Sequence, residues 1–451
     1  MSIFIRNHVF LLKIVVFVIV TNIFLYIISR YLGLARPIVN TDYLLIYLLF
    51  LIFPYKQYLR LLFLLLIAAL SIIDITLFAM QVFPFIQLND FLYLSAFIFT
   101  GPDTYQKILL ALVVYITLLH LLLSTYFFKE VLSNKKIVLL ILIATIVTSS
   151  FNVTDIRSQL WFFIKNYHHD YNLISDNKNL LVSNKYDSIS EELFDKSAES
   201  HHRKKILFIV NESWGVTNNP IIQQKMLSPI YKYKNNYDTV ESGSFIFNGA
   251  TVSGELRELC QKNATVMDIE KVGDEEFNNC LPDKLNQQGY DTYSMHGASG
   301  SLYNRMHWYP LAGFKHTLFK EDLKDARDCV SFSGKCDYDL FEPIATIMSE
   351  NDKVMLYWLT LNTHAPYTDR LFIDDFDCKQ YSIKPNSESC FNLKQQYQFF
   401  NRLSEYVQDT RMKGVKIYIV GDHAPPIMSL KDNFGVFKDM EVAWLAFKIK
   451  D

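Results

Sequence analysis

Five apolar runs crowd the first third of the sequence, at residues 9–29, 43–53, 61–80, 108–128 and 137–151. Most come close to the roughly 20 residues that cross a bilayer. Packed instead into a soluble core, so many long apolar helices would need a polar covering that this third of the chain does not carry. A membrane domain of about five spans is therefore expected. The second run is short and reaches spanning length only with residues 38–41, so four spans plus a re-entrant piece stays open as the alternative. No small-residue cleavage pattern follows the first run, which reads as an anchor rather than a signal peptide.

Basic residues give the orientation. Arg6, the loop with Lys56 and Arg60, and the loop with Lys129, Lys135 and Lys136 alternate with a connection bearing Asp90 and Asp103, which places the N-terminus in the cytoplasm. Arg30 and Arg36 count the other way. Five spans from an inside start leave everything after Phe151 outside. Cysteine usage agrees: all six cysteines, Cys260, Cys280, Cys329, Cys336, Cys378 and Cys390, lie downstream of the apolar third. They fall as neighbours, and the simplest pairing in an oxidising compartment is 260 with 280, 329 with 336 and 378 with 390. Free or zinc-binding thiols are the alternative, but no Cys-x-x-Cys repeat supports it.

Between the apolar third and the C-terminal half, residues 152–203 are polar and weakly periodic, with Tyr and Trp at the start where an interface would lie. They read as an interfacial linker, and the His168-His169 and His201-His202 pairs within it as solvated side chains. Residues 81–100 mix Pro84, Asn89 and Asp90 with aromatics, which suits a segment lying in the interface or an ordinary loop. The expected domains are thus 1–151 in the membrane, 152–203 as linker and 204–451 as a soluble domain. A formal charge of −2 gives no reason to expect a nucleic-acid partner.

In the soluble part, three continuous apolar runs of strand length end on polar residues: Lys205 to Gly215, Lys353 to His364 and Val415 to His423. Such runs are buried parallel strands, and with helical sequence between them the expected class is α/β. Functional groups in open parallel sheets collect beyond the carboxyl ends of strands. Those three ends carry Glu212, His364 and the Asp422-His423 pair, and two carboxylates with an imidazole can hold one divalent metal. Thr251 and Ser253 stand in a glycine-flanked turn before a helical run, where a hydroxyl can face a metal and backbone N–H groups an anion. By composition alone the same turn is plain helix capping.

These residues resemble the membrane-bound sulfatase-fold transferases of the alkaline phosphatase superfamily, which include phosphoethanolamine transferases and lipoteichoic acid synthases. The likeness rests on the spans followed by an outside domain and on the order of Asn211-Glu-Ser-Trp-Gly215, Gly249-Ala-Thr251, His296-Gly with Tyr303-Asn-Arg305, Asn362-Thr-His-Ala-Pro-Tyr367, and Gly421-Asp-His423. It implies an extracytoplasmic sulfatase-like domain on a multi-pass protein of a bacterial inner membrane. Glu212, Thr251, Asp422 and His423 would ligate the metal, with Thr251 as nucleophile, and His296, Arg305 and His364 would surround the phosphate. The implied reaction moves phosphoethanolamine or phosphoglycerol from a phospholipid through a phosphothreonine to a glycan or lipid-linked glycan. Three oxygens and one nitrogen suit zinc, with manganese also compatible.

Two departures stand out. After Asp422-His423 the chain reads Ala-Pro-Pro, and the stretch from Thr251 to Cys260 is rich in Glu and Arg, which raises the expectation of a different acceptor or head group. His307, Trp308 and His316 rank second as acceptor-site or leaving-group residues. The rival readings are a true sulfatase, a phosphodiesterase that gives the group to water, and an inactive membrane scaffold. The nearest approach to a formylglycine signature, Cys280-Leu-Pro-Asp-Lys284, lacks the arginine and sits after the nucleophile turn.

Overall fold

A computed structural model describes residues 2–53, 57–82, 103–126, 135–150, 155–161, 164, 181–194, 204–264, 269–329, 331–367 and 376–451. The chain divides into two compact units, one built from the apolar first third through Asn177 and one ending at Asp451. Most of the linker, the interfacial segment beyond Val82 and the linker histidine pairs lie outside the described residues.

Five helices occupy the five apolar runs: α1 (Ser2–Leu32), α2 (Thr41–Ile52), α3 (Gln57–Val82), α4 (Asp103–Tyr126) and α5 (Lys135–Ser150). Among the described residues two stretches, His8–Leu32 and Gln57–Val82, are long and apolar enough to cross a membrane; Thr41–Ile52, Leu110–Leu123 and Lys136–Ser149 are apolar but shorter. Phe17, Tyr47 and Phe63 form the aromatic centre of this unit, with Phe17 stacked on Tyr47 at 4.2 Å. From the sequence, Arg36 counted only toward orientation. The structure buries it, with Nη2 2.8 Å from Asp74 Oδ2 and Tyr43 and Asn40 donating to the same oxygen, because neither charge is tolerable in an apolar bundle without the other.

The second unit is built on an eight-stranded sheet. Its strands are β1 (Lys205–Asn211), β2 (Gly215–Thr217), β3 (Tyr237–Ile246), β4 (Asp291–His296), β5 (His316–Leu318), β6 (Val354–Leu359), β7 (Lys416–Gly421) and β8 (Phe437–Ile449). The order is β2-β8-β7-β1-β6-β4-β5, with β3 paired on β8. The five strands from β7 to β5 run parallel, whereas β8 is antiparallel to β7, β2 and β3. The three apolar runs of the sequence are β1, β6 and β7, which lie side by side at the centre.

Their continuity of apolar residues comes from cover on both faces. Leu207, Ile209, Leu356, Trp358, Ile417 and Ile419 enter the core on one side; Phe208, Val210, Tyr357, Leu359, Tyr418 and Val420 enter the other. Helices α8 (Asp337–Glu350) and α9 (Glu388–Tyr406) bury Phe341, Phe399 and Phe400 in the first core, while α6 (Thr251–Cys260) and α7 (Arg305–Leu311) bury Leu256, Leu259, Trp308 and Tyr309 in the second. All three expected disulfides are present, Cys260–Cys280, Cys329–Cys336 and Cys378–Cys390. The first ties the end of α6 to the start of the Leu281–Gln287 helix, and it removes Cys280 from any formylglycine chemistry.

Candidate active site

The parallel register brings the three strand ends to one rim: Asn211 pairs with Gly421, and Val210 pairs with Leu359. Immediately beyond lie Glu212 and Asp422, which are 2% and 0% exposed. Two close approaches hold the rim together. A Cβ on Gly421 would come within 2.1 Å of the Trp214 carbonyl oxygen, and one on Gly254 within 2.8 Å of the Asp422 carbonyl oxygen. The loop after β1 can therefore lie on β7, and the first turn of α6 on the Asp422 backbone, only because those positions carry no side chain.

Asp422 is divided in its bonding. Its Oδ1 accepts the N–H groups of Ser213 and His423, each at 2.7 Å, while its buried Oδ2 has no hydrogen-bond donor and lies 3.3 Å from His423 Nε2. Glu212 repeats the pattern. Oε1 accepts the Ser213 hydroxyl at 2.8 Å, and Oε2 lies 3.5 Å from Thr251 Oγ1. His423 Nδ1 sits 2.9 Å from the Ala424 carbonyl oxygen, which fixes the proton there and leaves the Nε2 lone pair facing the carboxylates. Thr251 Oγ1 is 3.4 Å and Glu212 Oε1 3.5 Å from that Nε2.

The chemistry of this donor set fits a divalent cation. Ligand atoms at the corners of a tetrahedron around zinc, about 2.0–2.2 Å from it, lie about 3.3–3.6 Å from one another. The separations of 3.3, 3.4 and 3.5 Å match those edges and are long for hydrogen bonds. Without a counter-charge the two acids are hard to ionise together. Burial first, and then the neighbouring Asp422, push the Glu212 carboxyl well above the usual carboxylate range. An orphaned buried oxygen beside a raised carboxyl is the signature of a charge the protein itself does not supply.

Thr251 is the first residue of α6, 7% exposed, with the amides of the helix start around it. His296 ends β4 and is buried, and His364 follows β6 and is half-buried; each turns Nδ1 to a backbone carbonyl, Leu359 for His296 and Ala365 for His364. Burial, helped by the Arg305 charge, holds His296 well below the ordinary histidine range, and burial brings His364 down to about 4. Both imidazoles are thus neutral near pH 7.

Arg305 differs from its expected role. Its guanidinium is buried and bound to Glu255, with Nη2 2.7 Å and Nε 3.0 Å from Oε2, and the hydroxyls of Tyr309 and Tyr357 also donate to Glu255. Burial works against the arginine charge, but Glu255 more than restores it. The positive charge still acts on the site, lowering His296 and Glu212 through space, without an exposed fork to grip a phosphate.

The Glu/Arg-rich stretch of α6 does not face an acceptor. Glu255, Arg257 and Glu258 are all fully buried, Arg257 Nε meeting Glu258 Oε1 at 2.7 Å, because the whole helix is enclosed. In the Ala-Pro-Pro departure, Pro425 packs against the backbone of Gly215. Of the second-rank residues, Trp308 is core, stacked on Phe277; His307 is a surface partner of Asp274 at 3.0 Å; and His316 is a surface residue stacked on Tyr293. Ser253 is buried within the first turn of α6. The sequence reading missed Ser213, Glu255 and Asp337, whose carboxylate receives the N–H groups of Leu361 and Asn362 and so shapes the loop before His364.

Residues 251–438 match the sulfatase family. The matched sulfatase region opens on Thr251 and takes in His296, Arg305, His364, Asp422 and His423, with Glu212 preceding it. Among solved structures, the chain is similar to the lipoteichoic acid synthase LtaP from Listeria monocytogenes (17% identity over 55% of this chain and 66% of that one, TM-score 0.42). It is also similar to the Streptococcus pyogenes phosphoglycerol transferase GacH (13%, 57% and 72%, TM-score 0.40) and to the lipooligosaccharide phosphoethanolamine transferase EptA from Neisseria meningitidis (11%, 89% and 79%, TM-score 0.46). The matched part spans just under two thirds of LtaP. No curated protein matches the sequence.

Proposed function

We propose that the chain is a metal-dependent transferase that moves phosphoethanolamine or phosphoglycerol from a membrane phospholipid to a cell-envelope glycan. The observation that carries this is the placement of one threonine hydroxyl, Thr251 Oγ1, 3.5 Å from Glu212 and 3.4 Å from His423 at the start of a buried helix. Glu212, Asp422, His423 and Thr251 itself would hold the cation, zinc by the tetrahedral fit and manganese by the hard oxygens. Such an ion, when bound, lowers the pKa of the threonine hydroxyl and polarises the phosphoryl oxygen.

The chain's own residues do the rest. Thr251 Oγ1 forms a bond to phosphorus as the bond from phosphorus to the diacylglycerol oxygen breaks, leaving a phosphothreonine. His296 and His364, both neutral imidazoles, suit a proton carrier that accepts from the threonine and returns the proton to the departing oxygen. A glycan hydroxyl then attacks the same phosphorus as the bond from phosphorus to Thr251 Oγ1 breaks, its proton passing by the same histidine route to the freed threonine oxygen. Arg305, held on Glu255, contributes a fixed positive field where negative charge spreads.

Residues 1–151 would anchor the enzyme by about five spans, 152–203 would link, and 204–451 would catalyse on the periplasmic side of a bacterial inner membrane. Three disulfides support the outside placement of the catalytic part. The test is the intact mass of the full-length protein in detergent after incubation with phosphatidylethanolamine or phosphatidylglycerol and zinc or manganese. A gain of one phosphoethanolamine or phosphoglycerol, absent in Thr251→Ala, supports the reading and names the head group. Lipid cleavage without an adduct, unaffected by any glycan acceptor, turns the protein into a phosphodiesterase, and no cleavage favours a scaffold.

A further inference from the structure

Ser213 is the residue through which the two ligand carboxylates are joined. It is fully buried, its backbone is left-handed at φ +55°, and its carbonyl accepts the Asn392 side-chain amide at 3.2 Å. A side chain is disfavoured in that conformation, and glycine would fit more easily. What the serine adds is one hydroxyl, donated to Glu212 Oε1 at 2.8 Å, while its N–H is donated to Asp422 Oδ1 at 2.7 Å. The left-handed turn directly after Glu212 is what aims the amide across to the end of β7 while the hydroxyl reaches back along its own strand.

The consequence is a selection among oxygens. Each carboxylate has one oxygen bonded by Ser213 and one that it leaves alone, Asp422 Oδ2 beside His423 and Glu212 Oε2 beside Thr251; Glu212 Oε1 also lies 3.5 Å from His423 Nε2, so the serine hydroxyl is what occupies the oxygen that would otherwise be a second ligand atom. We infer that Ser213 is a positioning residue that enforces single-oxygen ligation by Glu212 and Asp422, and thereby sets the site's preference for a small four-coordinate cation over a large one. Calcium draws on six to eight oxygens and commonly takes both oxygens of a carboxylate, whereas zinc is satisfied by four ligands. The inference rests on the reading of this cluster as a cation site.

Ser213→Gly isolates the hydroxyl, because glycine keeps both the N–H and the left-handed backbone. Zinc and calcium affinities of the full-length protein in detergent would be measured by competition with a chromophoric chelator, alongside thermal unfolding of the metal-free protein. The expected result is a fall in zinc affinity of about 10- to 100-fold, the range seen when the partner of a ligand is removed. Calcium affinity should be unchanged or higher, and the metal-free Tm unchanged. Wild-type zinc affinity in the variant overturns the inference. So does an equal loss for zinc and calcium, or a metal-free Tm that falls with the affinity, since either gives Ser213 a general structural role. If the wild-type protein binds neither zinc nor manganese, the cation reading itself fails, a result distinct from the variant's.

Discussion

Two buried glutamates, Glu255 in α6 and Glu212 just beyond the end of β1, illustrate opposite uses of a charge. Glu255 is saturated: Arg305 holds it in a bidentate grip, and Tyr309 and Tyr357 add two hydroxyls. Glu212 has one close donor, the Ser213 hydroxyl, with Thr251 Oγ1 at the long distance of 3.5 Å, and faces Asp422, whose Oδ2 has none. The first cluster is closed by the protein, and the second is completed only by something positive from outside. Polar groups that fold and polar groups that work are therefore separable by counting partners.

The largest expected effect is catalytic and confined to the open cluster. Thr251→Ala should lower transfer by on the order of 10³-fold or more, with unfolding free energy changed by about 1 kcal/mol or less, since the residue lends the fold little beyond a methyl group. A variant that keeps even a tenth of wild-type turnover would place the nucleophile elsewhere.

Next comes the closed cluster. Glu255→Ala strands the Arg305 charge in the core and should cost about 3–5 kcal/mol, read from the urea midpoint of the full chain. A loss below about 1 kcal/mol would show that Arg305 reaches solvent or another anion, and the contrast between the two glutamates would collapse. Asp422→Asn makes the opposite case. It removes a repulsive neighbour of Glu212, so in chelator the protein should unfold at an equal or higher temperature, while zinc should no longer raise its Tm. Equal destabilisation with and without metal would make Asp422 a structural residue like Glu255.

The smallest effect concerns Asp337, which burial pushes up to about 7 against the pull of the Asn362 and Leu361 amides. A carboxyl raised in the folded state stabilises fully below its unfolded value, and that contribution is lost as pH rises through the folded one. From about pH 4 to 7 the unfolding free energy should thus decline by this group's share, and Asp337→Asn should flatten that slope. An identical slope in the variant would assign the pH response to other carboxyls.

How far the sequence could be read depends on the same division. β1, β6 and β7 were legible because burial on both faces forces uninterrupted apolar runs, and polar residues at their ends then announce a site. β4, which delivers His296, was not: Asp291-Thr-Tyr-Ser-Met-His296 alternates polar and apolar residues. β3 was hidden for a related reason, being largely exposed and carrying Ser and Gly. The metal-type donors of Glu212, Asp422 and His423 meet as the strand-end argument required. Charges paired across long sequence separations, Arg305 with Glu255 or Arg36 with Asp74, leave no periodic trace, which is why the Glu/Arg-rich stretch that holds Glu255 read as a sign of a different acceptor and Arg36 as a topology signal. Ser213 was equally silent, since its effect depends on one backbone angle.

Gly254 lies one turn after Thr251, with its N–H bonded to the Ala250 carbonyl oxygen and no side chain between the helix and Asp422. The opening turn of α6 and the loop after β7 consequently rest backbone on backbone. Thermal displacement of one carries the other along, so the spread in the gap between nucleophile and aspartate is narrower than the motion of either segment alone. A methyl group at 254 would uncouple that motion, and the threonine would then sample its reactive position for only part of the time.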